Sequence, residues 1–164
     1  MTVKFQGADV TVSGYFPTVG SSAPKFELTG AGLDTITNDT YKGKNIVLNI
    51  FPSLDTPVCA ASVRKFNEAA SKHPDTVVVC ASMDLPFAMS RFCTTEGLKN
   101  VVPASAFRSG EFGSDYGVAI ADGPLRGLLA RAVVVINKEG KVAYAQLVDE
   151  ITNEPDYEHA LAAL

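Results

Sequence analysis

The sequence predicts an α/β fold, and three observations carry that prediction. Short apolar runs rich in β-branched residues recur at Ile46 to Phe51, Thr76 to Ser82 and Ala132 to Ile136, as in buried strands. Between the first two, Val63, Phe66 and Ala70 fall at helical spacing, with Arg64, Lys65 and Glu68 between them. Asn137-Lys138-Glu139-Gly140 then separates Ala132–Ile136 from Val142–Leu147, a strong hairpin signal.

The elements follow in order. Val3 to Phe5 and Val10 to Val12 alternate apolar and polar residues around Gly7-Ala8-Asp9, which predicts an N-terminal β-hairpin. Pro17 to Pro24 is a Gly/Ser/Pro loop. Phe26 to Leu28 suits a short strand, and Thr37 to Tyr41 one helical turn closed by Gly43. The central strand Ile46–Phe51 leads to a helix that runs to about Lys72, where His73-Pro74-Asp75 stops it. Thr76–Ser82 is the second buried strand. Pro86 to Thr95 reads as a helix ended by Gly97, and Val101-Val102 begin another strand. Glu111 to Tyr116 reads as a short helix and Ala121 to Leu129 as a Gly-rich loop. Pro155 to Leu164 is a final helix with proline at its start. There is no repeat and no interdomain linker, so residues 1–164 are expected to form one domain.

Composition narrows the function classes. With 46% hydrophobic residues the chain can bury a core, which argues against disorder. The net charge of −4 has no clustered Lys and Arg, so no nucleic-acid footprint is present. Met1 to Gly7 lacks the apolar region of a signal peptide, and no apolar stretch is long enough to span a bilayer. The expected compartment is the cytoplasm, with a periplasmic fraction left open. Three cysteines do not make a disulfide scaffold; in such a chain they point to redox chemistry, metal binding or core filling.

Cys59 stands out by position. Thr56 suits an N-cap and Pro57 the first helical residue, which puts Cys59 in the first helical turn, just past a central strand. Unpaired N–H groups and the positive end of the helix dipole favour a thiolate there. Sites of this kind lower a cysteine pKa from about 8.5 to roughly 3.5–7.5. The plainer reading is a small buried hydrophobe. Position alone leaves both open.

Pro52, Thr56 and Cys59 read Pro-x-x-x-Thr-x-x-Cys. This resembles the peroxidatic signature of the peroxiredoxins. Phe51 to Asn67, Asp84 to Phe92 around Cys93, Tyr116 to Asp122, Arg131 to Ile136 and Leu147 to Glu158 extend the likeness over essentially the whole chain. They resemble the bacterial thiol peroxidase branch, of the atypical 2-Cys type. The resemblance implies a thioredoxin-like sandwich, with a mixed central sheet flanked by helices and the N-terminal β-hairpin as an addition. It implies that Cys59 attacks hydrogen peroxide or organic hydroperoxides and that Cys93 resolves the resulting sulfenic acid as an intramolecular disulfide. It also implies thioredoxin as reductant, a homodimer with the active site near the subunit interface, and no cofactor.

The same resemblance gives the Thr56 hydroxyl a hydrogen bond to thiolate and peroxide, Pro52 a shielding role, and Arg131 a place against the sulfur. Read from the residues alone, Thr56 is equally a cap, Arg131 a strand-end surface charge, and Cys93 a core cysteine beside Phe87 and Met89. Arg64 and Arg126 are the alternative cations. Cys80, inside Val-Val-Val-Cys-Ala, reads as inert core. The two redox cysteines sit on separate helices, so a bond between them requires local unwinding. A zinc site built with His73 and His159 lacks ligand spacing, since there is no Cys-x-x-Cys and no paired His. Gly-x-Ser-x-Gly and the P-loop pattern are absent. A thiol–disulfide oxidoreductase or chaperone would need the Cys-x-x-Cys spacing, and a non-enzymatic binding domain would not need the Pro52, Thr56, Cys59, Cys93 and Arg131 set.

Overall fold

A computed structural model describes residues 1–164. Ten strands and four helices alternate much as the periodicity requires. They are β1 (Thr2–Phe5), β2 (Ala8–Ser13), β3 (Glu27–Gly30), β4 (Thr35–Thr37), β5 (Asn45–Ile50), α1 (Pro57–Ala70), β6 (Thr76–Ser82), α2 (Pro86–Glu96), β7 (Val101–Ser105), α3 (Phe112–Asp115), β8 (Ala119–Ile120), β9 (Ala132–Ile136), β10 (Val142–Leu147) and α4 (Tyr157–Ala162). A 3-10 turn at Asn38–Tyr41 follows β4.

Seven strands form one mixed sheet in the order β10-β9-β5-β6-β7-β3-β4. β5, β6 and β7 are parallel, and β9 and β3 run antiparallel against their two sides. The central strands are apolar on both faces, hence continuous runs rather than alternation. Ile46, Leu48, Ile50, Val134 and Ile136 face one cluster; Val47, Val78, Cys80, Val133 and Val135 face the other. The second face is covered by α1, α2 and α4. The first face is covered mainly by the small sheet β1-β2-β8 and the single-turn α3, so the helices lie predominantly on one side.

Three details depart from the sequence reading. The hairpin turn is Gln6-Gly7, both at positive φ, one residue earlier than the Gly7-Ala8-Asp9 centre. β4 and β8 were not anticipated, because strands of three and two residues carry too few side chains to show a period. The last helix starts at Tyr157, capped by the Asp156 carboxylate, and Pro155 lies just outside it.

The N-terminal hairpin is bolted to the segment after β10. Lys4 N–H donates to the Asp149 carbonyl at 2.7 Å, and Ile151 N–H donates to the Lys4 carbonyl at 2.8 Å. The Glu150 carboxylate accepts from the N–H groups of Gly7 (2.8 Å), Thr152 (3.1 Å) and Gln6 (3.3 Å), and Asp122 accepts from Thr11 N–H at 2.7 Å. These donors hold both carboxyls below their usual range: Thr152 N–H is the first cause for Glu150, and Thr11 N–H for Asp122. A folded-state value below the unfolded one stabilises fully above the unfolded pKa and is lost as pH falls through the folded value. Lowering the pH from about 6 to about 3 should therefore cut the amide-exchange protection of Gln6, Gly7 and Thr11 while β5 and β6 keep theirs. Uniform loss along the chain would show that these carboxylates do not anchor the hairpin.

Candidate active site

The site forms where β5 hands over to α1. Pro57 occupies the first helical turn, Thr56 is the N-cap in extended backbone, and Cys59 is the third helical residue. Cys59 is fully buried, and so are Phe51 and Val63 around it. Ser62 Oγ–H donates to the Cys59 carbonyl at 2.9 Å, and Asn49 Nδ2 on β5 reaches Ser62 Oγ at 3.3 Å. This buried polar chain fixes the first turn from behind.

Arg131, in the residue just before β9, enters from the other side. Its Nη2 donates to Cys59 Sγ at 3.3 Å, and its Nε donates to the Ile151 carbonyl at 2.7 Å. Only 2% of Arg131 is exposed, and its Nη1 has no partner in the protein. Arg131 is thus no strand-end surface charge. A buried guanidinium costs several kcal/mol unless its donors are matched, and here the Nη1 amino group meets no protein acceptor. The other two candidate cations lie elsewhere: Arg64 pairs with Glu96 at 2.8 Å, and Arg126 is exposed.

Thr56 departs from expectation in detail. Its side chain makes no capping bond to α1. The hydroxyl instead donates to the Ser53 carbonyl at 2.9 Å, inside the turn that starts the helix. A hydroxyl with its one hydrogen so placed can only accept from a neighbour, and cannot donate to a thiolate. Pro52, which precedes this turn, is buried.

Cys93 sits in the third turn of α2, half-buried against the same cluster as Cys59, with its thiol pushed up by burial. Met89 is buried on that face, but Phe87 is 66% exposed and points away from it. Cys80 on β6 is 3% exposed; burial pushes its thiol up to about 12, opposed by an Asn49 contact. All three cysteines are free. No three His, Cys, Asp or Glu side chains gather as a metal set, and His159 pairs with Asp156.

Sequence reasoning missed four participants. Asn49 was detectable as a polar residue inside an apolar strand. Ile151 was not, because it contributes a main-chain carbonyl. Tyr157 packs edge-on against Phe66 at 5.2 Å and donates its hydroxyl to Glu154 at 2.9 Å; its pKa is raised by burial first and by Glu154 next. Asp84 holds the turn before Thr56 through Ser53 and Leu54.

A family model described as Redoxin matches residues 18–161. The thiol peroxidase of Mycobacterium tuberculosis is 58% identical over 162 residues, covering 99% of this chain and 97% of that protein. This chain belongs to the redoxin family, in its thiol peroxidase branch. The thiol peroxidase of Corynebacterium glutamicum is 55% identical over 160 residues, 98% of this chain and 96% of that one. A crystal structure of a peroxiredoxin-like protein from Aquifex aeolicus superposes with a TM-score of 0.92 at 44% identity, covering 98% of this chain and 94% of that chain. The thioredoxin-like fold is shared with them, and the enzyme reduces peroxides with a thiol. No helix is long and apolar enough to cross a membrane.

Proposed function

We propose that Cys59 is the peroxidatic cysteine, Arg131 its activating cation, Thr56 the acceptor for the peroxide O–H, Pro52 the shield, and Cys93 the resolving cysteine. One observation carries the assignment: the buried Arg131 guanidinium lies 3.3 Å from the Cys59 sulfur with a further amino nitrogen unpartnered. A guanidinium in contact favours the anionic sulfur, which is the nucleophile. The thiolate attacks the terminal oxygen of the hydroperoxide, R–O–O–H. A sulfur–oxygen bond forms, the O–O bond breaks, and its electron pair leaves on the alkoxide. Arg131 faces the charge as it develops, and a solvent proton completes the alcohol. The sulfur is left as sulfenic acid.

Resolution follows when the Cys93 thiol condenses with this sulfenic acid, giving a Cys59–Cys93 disulfide and water. Cys59 is the third residue of α1 and Cys93 the eighth of α2. The two sulfurs thus sit inside separate helices, and in our reading part of α1 or α2 unwinds to bring their Cα atoms within the roughly 7 Å a disulfide spans. The Arg64–Glu96 pair ties the two helices, the bond from Asn100 N–H to Asn67 Oδ1 ties α1 to the segment before β7, and both oppose that step. Two electrons from a dithiol then restore both thiols, and we assign thioredoxin to that role on family membership.

We further propose a homodimer. Leu85 at the N-cap of α2, Phe87 in its first turn and Phe107 after β7 are exposed, and the bond from Ser105 to Asp84 holds the two segments together. This apolar patch adjoins the Ser53–Leu54 turn, so a second copy seated there would flank the active site.

Three outcomes test these assignments. With hydroperoxide, thioredoxin and its reductase, Cys59→Ser should abolish turnover, Cys93→Ser should allow one oxidation and then accumulate sulfinic acid, and Cys80→Ser should turn over nearly as the parent; a large loss in the last would mean the pair is misassigned. Arg131→Met should slow Cys59 oxidation by roughly 100-fold, and a parental oxidation rate removes Arg131 from the site. Sedimentation equilibrium should give a dimer for the parent and a monomer for Phe87→Glu, whereas a monomeric parent ends the dimer reading.

A further inference from the structure

Asp84 stands between β6 and α2, outside the steps derived above. Its carboxylate accepts three hydrogen bonds: Ser53 Oγ–H at 2.8 Å on Oδ1, and Leu54 N–H at 2.8 Å and Ser82 Oγ–H at 2.6 Å on Oδ2. Its own N–H donates to Ser82 Oγ at 3.2 Å, and its carbonyl accepts from Ser105 Oγ. Ser82 and Ser105 are fully buried at the ends of β6 and β7. The residue is gripped from the sheet and in turn grips the turn that leads to Cys59.

That turn passes the constraint on. Ser53 Oγ accepts from Asp55 N–H at 3.2 Å. The Ser53 carbonyl accepts from both the N–H (3.2 Å) and the hydroxyl (2.9 Å) of Thr56. Asp84 supplies the hydrogen bonds that tie Ser53 and Leu54 to the rest of the chain. The link from its carboxylate to the Thr56 oxygen is therefore two residues long.

We propose that Asp84 is a positioning residue for the peroxide reaction, whose carboxylate holds the Ser53–Thr56 turn in the shape that presents Cys59 to peroxide and whose release frees Cys59 to reach Cys93. The proposal rests on Cys59 being the peroxidatic cysteine. A carboxylate suits the role because it only accepts hydrogen bonds. An amide of the same shape keeps one acceptor oxygen and turns an NH2 group toward either Leu54 N–H or Ser53. Leu54 is 6% exposed, so a main-chain donor deprived of its acceptor there has little recourse to water.

The two halves of the cycle need opposite states of this turn. Attack of the thiolate on hydroperoxide, giving sulfenic acid and alcohol, needs it closed. The sulfenic acid then has two fates. It condenses with the Cys93 thiol and releases water, which needs the turn open. Otherwise its deprotonated form attacks a second hydroperoxide, giving sulfinic acid and a second alcohol, which needs it closed. Loosening Asp84 should slow the first reaction and shift the partition toward disulfide. A residue that merely supported global stability would slow both reactions together.

The test compares full-length parent, Asp84→Asn, Ser53→Ala and the double variant, using tert-butyl hydroperoxide and mass mapping of quenched samples. In Asp84→Asn, Cys59 oxidation should slow roughly tenfold to 100-fold, the scale of a small displacement at a reacting centre. The peroxide concentration that converts half of Cys59 to sulfinic acid should rise several-fold. Ser53→Ala should move both readouts in the same directions by less, and the double variant should lose less than the sum of the two single variants, because part of Ser53's effect runs through the carboxylate. Parental values for both readouts, or parallel slowing of both steps with a lower melting temperature, would overturn the proposal. If Asp84→Asn does not fold, Ser53→Ala decides on the same two readouts. Failure of the Cys59 assignment looks different: the first oxygen in the parent would map to another sulfur.

Discussion

Much of this fold serves to hold a guanidinium against a sulfur where neither meets water. Arg131 is fixed by three neighbourhoods at once. Its backbone continues into β9, beside the central strand; its Nε is held by the Ile151 carbonyl; its Nη2 rests on Cys59. Removing a guanidinium from water costs several kcal/mol, so the contact persists only because sheet, hairpin and helix together deny the side chain an alternative. Cys59 is placed with equal firmness by the β5–α1 junction and the Asn49–Ser62 chain behind it. Two rigid supports meet at one soft contact, and the remaining unmatched amino group is what an incoming oxygen would find.

The same rigidity opposes the rest of the cycle. A site that must be closed for one reaction and opened for the next cannot be uniformly stable. Here the sheet carries the closed state from below, while the ties across the top are few and polar. They are Asp84 to the turn before α1, Arg64 to Glu96, and Asn67 to Asn100. The exposed ties, Arg64 to Glu96 and Asn67 to Asn100, can exchange partners with water, whereas the Leu54 N–H bond to Asp84 and the buried apolar contacts cannot.

The fold was legible in sequence because the central strands are apolar on both faces and the helices between them are amphipathic. Thr76–Ser82 in particular reads with the bounds it has. Short edge pieces such as β4 and β8 escaped, since two or three residues show no period. At the site, Cys59 could be placed in a first turn from Thr56 and Pro57 alone, but its neighbours could not. Arg131 looked equally like a surface charge until the fold closed over it. Phe87, grouped with Met89 by eye, faces outward because α2 turns about 100° per residue. The Thr56 hydroxyl points back to Ser53, a choice made by local backbone geometry that no pattern of letters records. Asp84 and Ile151 act through contacts distant in sequence, one of them with a main-chain carbonyl that any residue could supply.

The fastening between the N-terminal hairpin and the segment after β10 bears on how this protein is born. Ile151 donates to Lys4 and, through its carbonyl, steadies Arg131. A nascent chain still lacking Ile151 has already made Cys59, Cys80 and Cys93, yet has nothing to seat the guanidinium beside the first of them. The contact between Arg131 and Cys59 is therefore completed by a carbonyl from a segment made after all three cysteines.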